Sequence, residues 1–222
     1  MSTAESIGGP LGQRERGSFT EVFSDALRGD HTTVRGVYGE DRTLPVHDWL
    51  RPATDSDRVL LGHCRGLTLD VGCGPGRMSA HLAELGHSVL AVDVVAEAVE
   101  QARSRGVAAI HRNVFDPMPG EGRWDTVLLA DGNIGIGGAP AALLGRAADL
   151  LDTGGRVVVD LACPGTGLQL HEAQLVSRDK TSWEFPWAQV GPEAIDWLAT
   201  SARLSLLGME EHRERWFAVL GR

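Results

Sequence analysis

Apolar positions along this chain recur in two alternating periods, and the alternation predicts the fold. Short runs of apolar and β-branched residues, the mark of a core strand, cover 66–71, 87–93, 107–111, 124–130 and 156–161. Between them the period lengthens to that of a helix. Met78, Leu82 and Leu85 share one face of a helix over 77–85, at the spacing of successive turns. Further helices are predicted over 96–105 and 139–151, the second closed by the turn Asp152-Thr153-Gly154-Gly155. Strands alternating with helices in this way read as parallel βαβ units in a doubly wound, mostly parallel α/β sheet.

The flanks break the pattern. Residues 1–17 are rich in Gly, Ser and Arg without periodicity, which predicts a disordered tail. Phe19, Val22, Phe23, Ala26 and Leu27 make a helical stripe, and a second short helix is predicted over 55–64, so 18–65 reads as a helical lid ahead of a core spanning 66–222. After the fifth strand, 168–176 and 182–190 look like a hairpin, within a lid insertion at about 165–190. Pro192 opens one more helix. Two late strand candidates, 204–209 and 216–220, bring the sheet to seven strands.

Composition narrows the class. A net charge of −9 argues against a nucleic-acid or anionic-membrane binder, which needs a basic face. Three scattered cysteines make neither a disulfide framework nor a zinc site. A polar N-terminus and the lack of a long apolar run predict a soluble cytoplasmic protein, monomer or homodimer.

The chemistry begins at Asp70-Val71-Gly72-Cys73-Gly74-Pro75-Gly76-Arg77, where the first core strand runs into a glycine-rich turn and then a helix. Glycines let a ligand meet the backbone where a Cβ would block it. A dinucleotide fingerprint needs a glycine at the sixth position from Gly72, and Arg77 stands there. Asp93 closes the second strand, 21 positions after Gly72, where an acid can accept from both hydroxyls of a ribose. The two features together resemble the first and second motifs of class I S-adenosylmethionine (SAM)-dependent methyltransferases. Asp131 to Gly138, Phe185 to Gly191 and Arg215 to Ala218 look like stretches of short actinobacterial members of that family.

The resemblance implies a Rossmann-like sheet with an antiparallel final strand, SAM as cofactor and S-adenosylhomocysteine as product. It implies cofactor contacts from Asp70, Gly72, Cys73, Gly74, Gly76 and Arg77, and from Asp93 and Val94. Asn113, Val114 and Phe115 match the segment that reads adenine, with Asn113 where the family carries an acid. Ala130, Asp131 and Gly132 fall at the end of the fourth strand, on the side where open α/β sheets hold their ligands. Asp131 and His171 are the candidate catalytic residues, His171 because imidazole titrates near neutrality. Asn133, Tyr38, Trp49 and Trp187 are candidates for holding a small organic acceptor, and no metal site is expected. Two other readings stay open on the residues: an NAD(P)-binding oxidoreductase and a SAM-binding module without catalysis.

Overall fold

A computed structural model describes residues 14–222. The N-terminal part comprises β1 (Glu15–Gly17), α1 (Phe19–Leu27), β2 (Thr33–Arg35), β3 (Arg42–Thr43), α2 (Val46–Leu50) and α3 (Asp55–Leu61). The α/β core follows as β4 (Thr68–Val71), α4 (Arg77–Glu84), β5 (Val89–Asp93), α5 (Ala96–Ser104), β6 (Ala109–His111), β7 (Trp124–Leu129), α6 (Pro140–Leu150) and β8 (Leu151–Leu161). The last third is β9 (Leu168–Val176), β10 (Lys180–Ser182), β11 (Phe185–Val190), α7 (Pro192–Ser201), β12 (Ser205–His212) and β13 (Arg215–Gly221).

The main sheet has seven strands in the order β12-β13-β8-β7-β4-β5-β6. β4 to β8 pair in parallel, and β13 runs antiparallel to both β8 and β12. Residue alternation sorts the strands between two helical layers. Val127, Leu129, Val157, Val159, Ala218 and Leu220 face α6 and α7, where Leu143, Leu144, Ile195 and Leu198 are buried against them. Leu128, Val158 and Phe217, one position out of step, face Leu60 and Leu61 of α3 and Met78 and Leu82 of α4. Each fully buried Val, Leu, Ile, Phe or Met among them contributes about 1.5–3 kcal/mol.

The flanks differ from the sequence expectation. The first 13 residues of the expected tail lie outside the described residues, but Glu15–Gly17 form a strand in register with Lys180–Ser182. The N-terminal segment expected as a helical lid mixes strands with helices. β2 pairs β9, and with β1, β3, β10 and β11 it builds a second sheet around β9. The predicted hairpin is present as β9 and β11, paired from Phe185–Ala173 to Val190–Leu168. The turn expected at 152–155 is absorbed into a bulged β8, whose register on β7 shifts between Trp124 and Thr126.

Two capping boxes fix where the N-terminal helices begin. Ser18 and Glu21 exchange hydrogen bonds at the start of α1, and Thr54 and Asp57 do so at α3, satisfying amides that a helix start leaves free. α1 packs on the second sheet and, through Leu27, on Val95 and Ala98 at the start of α5. The second sheet is tied to the core where Trp187 bridges Ile136.

Candidate active site at the carboxyl edge

The glycine turn separates three jobs that the sequence shows as one motif. Gly72 lies under Asn133, whose Nδ2 donates to the carbonyls of Val71 and Gly72 at 2.9 Å each. Gly76 packs on α5, and a Cβ there would stand 2.8 Å from that of Ala102. Gly74 alone faces open space: at φ +52, no protein atom lies within 4 Å of where its Cβ would be. Gly74 is therefore the place where the main chain is free to meet a ligand. The Cys73 side chain turns the other way, buried with Ala91, Val99 and Ala102, so only its backbone faces the groove.

Asp93 sits where the motif places it, at the end of β5, buried and accepting from the amides of Gly74 and Val95 at 2.9 Å each. Burial raises its pKa above the ordinary carboxylate value, against those amide hydrogen bonds. A carboxylate has about four acceptor sites, so two remain for a diol. Asp70 is wholly buried and accepts from the Ser79 hydroxyl at 2.6 Å. Burial pushes its pKa up to about 6. Asn113 folds its Oδ1 back to the amide of Phe115 at 3.0 Å, leaving its NH₂ for a ligand. Val114 is buried, whereas the ring of Phe115 and the side chain of Val94 are exposed. Phe115 is thus not core and is free to stack.

The other half of the edge is ionic, and sequence reasoning missed most of it. Arg77 forks its Nη2 onto both oxygens of Asp131 at 2.7 and 2.8 Å, and its Nη1 pairs with Asp57. Arg215, at the start of β13, clamps Asp160 at 3.0 and 2.8 Å, pairs with Asp57 and reaches Asp131 at 3.3 Å. Asp160 in turn accepts the backbone N–H of Asp131 at 2.9 Å. Asp57, Asp160 and Arg77 are buried. Burial works to raise the Asp57 pKa, but the Thr54 amide and the two guanidinium groups outweigh it and hold the carboxyl below its usual range. Arg215 is held protonated by its carboxylates despite its burial. Asp131, a candidate catalytic residue from the sequence, is paired to two guanidinium groups.

A cleft of about 210 Å³ opens beside this network, lined by Pro45, Asp48, Trp49, Arg51, Thr54, Asp57, Arg77, Asp131 and Arg215. Trp49 is the one expected acceptor residue that lines it. Its ring stacks on Phe23 at 5.6 Å and Phe23 stacks on Phe19, which meets Phe185 of the second sheet edge to face. The remaining candidates stand elsewhere. Tyr38 is exposed beneath the Arg42 guanidinium, 4.5 Å from its ring centroid. Asn133 is spent on the glycine turn. Trp187 rests on Gly135, where a Cβ would stand 2.9 Å from its ring. His171 pairs with Trp187 across the hairpin, its Nε2 3.1 Å from Oε1 of Gln189. Neither Trp187 nor His171 lines the cleft. Ala130 is buried under the edge, and Gly132 turns the chain at φ +77.

Residues 68–155 match the methyltransferase domain family. The match runs from β4 into the start of β8 and so takes in the glycine turn, Asp93 and Asp131. Among solved structures, a SAM-dependent methyltransferase from Bacteroides fragilis in complex with S-adenosylhomocysteine superposes with a TM-score of 0.75 at 22% identity, over 90% of this chain and 92% of that one. The 1,6-didemethyltoxoflavin-N1-methyltransferase of Burkholderia thailandensis gives 0.58 at 20% identity, covering 78% of each chain. These likenesses establish the class I fold. Among curated proteins, the 23S rRNA (uracil(1939)-C(5))-methyltransferase RlmD of Shewanella baltica is 37% identical over 75 residues, 34% of this chain. The chain spans only 14% of the length of that relative. No helix among the described residues is long and apolar enough to cross a membrane.

Proposed function

We propose that this methyltransferase domain moves a methyl group from SAM to an O, N or C nucleophile of a small organic molecule. The observation that carries the cofactor is the open space at Gly74 between two buried acids, Asp70 and Asp93. The residues fit the group. Asp93 has acceptor capacity for a ribose diol, Asn113 and Phe115 offer a donor and a ring to adenine, and the turn amides and Asp70 suit the amino-acid end. SAM supplies the sulfonium methyl together with its own leaving group. The chain has therefore to bind, orient and exclude water. Asn133 braces the glycine turn from below, and α2 covers the cleft with Trp49.

The cleft supports a small acceptor. Its volume suits a molecule rather than a macromolecule, and an aromatic wall on one side suits a planar or apolar body. The Burkholderia neighbour is described with 1,6-didemethyltoxoflavin, a small molecule, in place. RlmD is named for ribosomal RNA, but a chain of net charge −9 lacks the basic balance for that partner. Titration calorimetry with SAM, S-adenosylhomocysteine and NADH tests the reading. SAM and S-adenosylhomocysteine should bind at micromolar concentration and NADH should not. Binding of NADH alone would transfer the chain to the oxidoreductases.

A further inference from the structure

Arg215 belongs to the last strand, far in sequence from the glycine turn, yet it touches three carboxylates of the edge: Asp57, Asp131 and Asp160. Its grip on Asp160 is the two-pronged kind, through Nε and Nη2, which fixes direction as well as distance. Asp160 passes that direction to the main chain, because its Oδ2 accepts the amide of Asp131. Asp131 needs such support. It stands at φ +52, a left-handed conformation unfavourable for an L-residue, though less so for Asp than for most. Its side chain is held from the other side by Arg77, the first residue after the glycine turn. The Asp131 amide is thus held by Arg215 through Asp160, and its carboxylate by Arg77 with a longer contact from Arg215.

We propose that Arg215 is a positioning residue for the cofactor site: through Asp160 it sets the left-handed turn at Asp131, and through Asp131 and Arg77 the glycine turn that receives SAM. The proposal rests on the reading of SAM as cofactor. Charge alone does not account for the arrangement. A lysine would neutralise the same carboxylates but cannot make the fork that orients Asp160.

Calorimetric SAM affinity, melting temperature and the backbone amide resonance of Asp131 are measured for the wild type, Arg215→Met, Arg215→Lys and the double variant Arg215→Met/Asp160→Asn. Arg215→Met should weaken SAM binding by about tenfold, and Arg215→Lys should recover the melting temperature but not the affinity. The double variant removes one charge of each sign; it should also regain thermal stability while SAM binding stays weak and the Asp131 resonance stays displaced. Affinity within about twofold of wild type in Arg215→Met or Arg215→Lys overturns the proposal. So does a double variant that regains affinity along with stability, since charge balance would then be the whole role. If Arg215→Met does not fold, Arg215→Lys carries the test. A wild type that fails to bind SAM would overturn the cofactor reading instead, so the two failures are distinct.

Discussion

The two halves of the carboxyl edge are built in opposite ways. On the Asp93 side, each candidate side chain is fixed by backbone within a few residues or across one strand pair: Asp93 by Gly74 and Val95, Asn113 by Phe115. On the Asp131 side, the side chains fix one another. Asp57, Arg77, Asp131, Asp160 and Arg215 come from five separate segments and are joined by ion pairs. Backbone-held groups keep their geometry when a neighbour is changed. A buried ionic network does not, because removing one member strands the others without a partner. The first half is a local device and the second a cooperative one.

The largest effect expected from that difference lies in the network. Asp57→Ala leaves Arg77 and Arg215 each short of a carboxylate in a buried setting, which costs about 3–5 kcal/mol. Asp57 also caps α3, and the loss of that box adds about 1 kcal/mol. Urea denaturation of the variant gives the number. A loss under about 1 kcal/mol, the range of exposed ion pairs, would show that water already screens the network and would erase the contrast.

Asp70 stands between the halves and reports through pH. Its pKa is raised to about 6 in the folded protein, against roughly 4 in an unfolded chain. The folded state therefore binds the proton more tightly. Below about pH 4 the group is neutral in both states and costs nothing; as the pH rises to 6 the unfolded carboxyl ionises first and stability falls. Above pH 6 the cost is complete, on the order of 2–3 kcal/mol for a two-unit shift. Asp70→Asn should flatten this part of the stability profile, measured as melting temperature from pH 4 to 7. An unchanged slope would assign the dependence to another group.

Asp93→Ala should weaken SAM binding by about 1.5–3 kcal/mol, the value of hydrogen bonds to a charged acceptor. Because its supports are backbone amides at the groove, the fold should keep its melting temperature more nearly than Asp57→Ala does. Equal thermal losses in the two variants would break the distinction between a local and a cooperative half.

The same distinction governs what the sequence shows. The parallel sheet and its flanking helices were legible because each element carries its own period, and the glycine turn and Asp93 because both sit at strand ends a fixed distance apart. The antiparallel sense of the final strand came through the family resemblance, and the structure bears it out. Arg215 and Asp160 were not legible as a site, since nothing in the chain says that position 215 meets positions 57 and 160. A trace was present. Asp160 is the one charge in the run Val157-Val158-Val159-Asp160-Leu161, and a charge inside a buried strand needs a partner. The strands of the N-terminal segment escaped the sequence because β2 and β3 are only 3 and 2 residues long, too short for a period, and exist by pairing with β9 and each other.

The smallest effects separate two of the tryptophans, Trp49 and Trp187. Both were candidates for the acceptor site, and the structure treats them differently. Trp49 lines the cleft and stacks on Phe23. Trp187 rests on Gly135 and pairs with Ile136, holding the loop after β7 beneath the second sheet. Once a screen for conversion of SAM to S-adenosylhomocysteine has identified an acceptor, Trp49→Ala should raise its KM severalfold, the loss of one aromatic face worth about 0.5–1.5 kcal/mol. SAM affinity should stay within about 1 kcal/mol, because the ring contacts none of the Asp93 half. Trp187→Ala should do the reverse in kind. It opens a gap over Gly135, so melting temperature falls while the acceptor KM moves little at temperatures where the variant is folded. If Trp187→Ala raises KM and Trp49→Ala does not, the acceptor lies under β11 and not in the cleft beside Arg77, and the functional face of the lid is the hairpin.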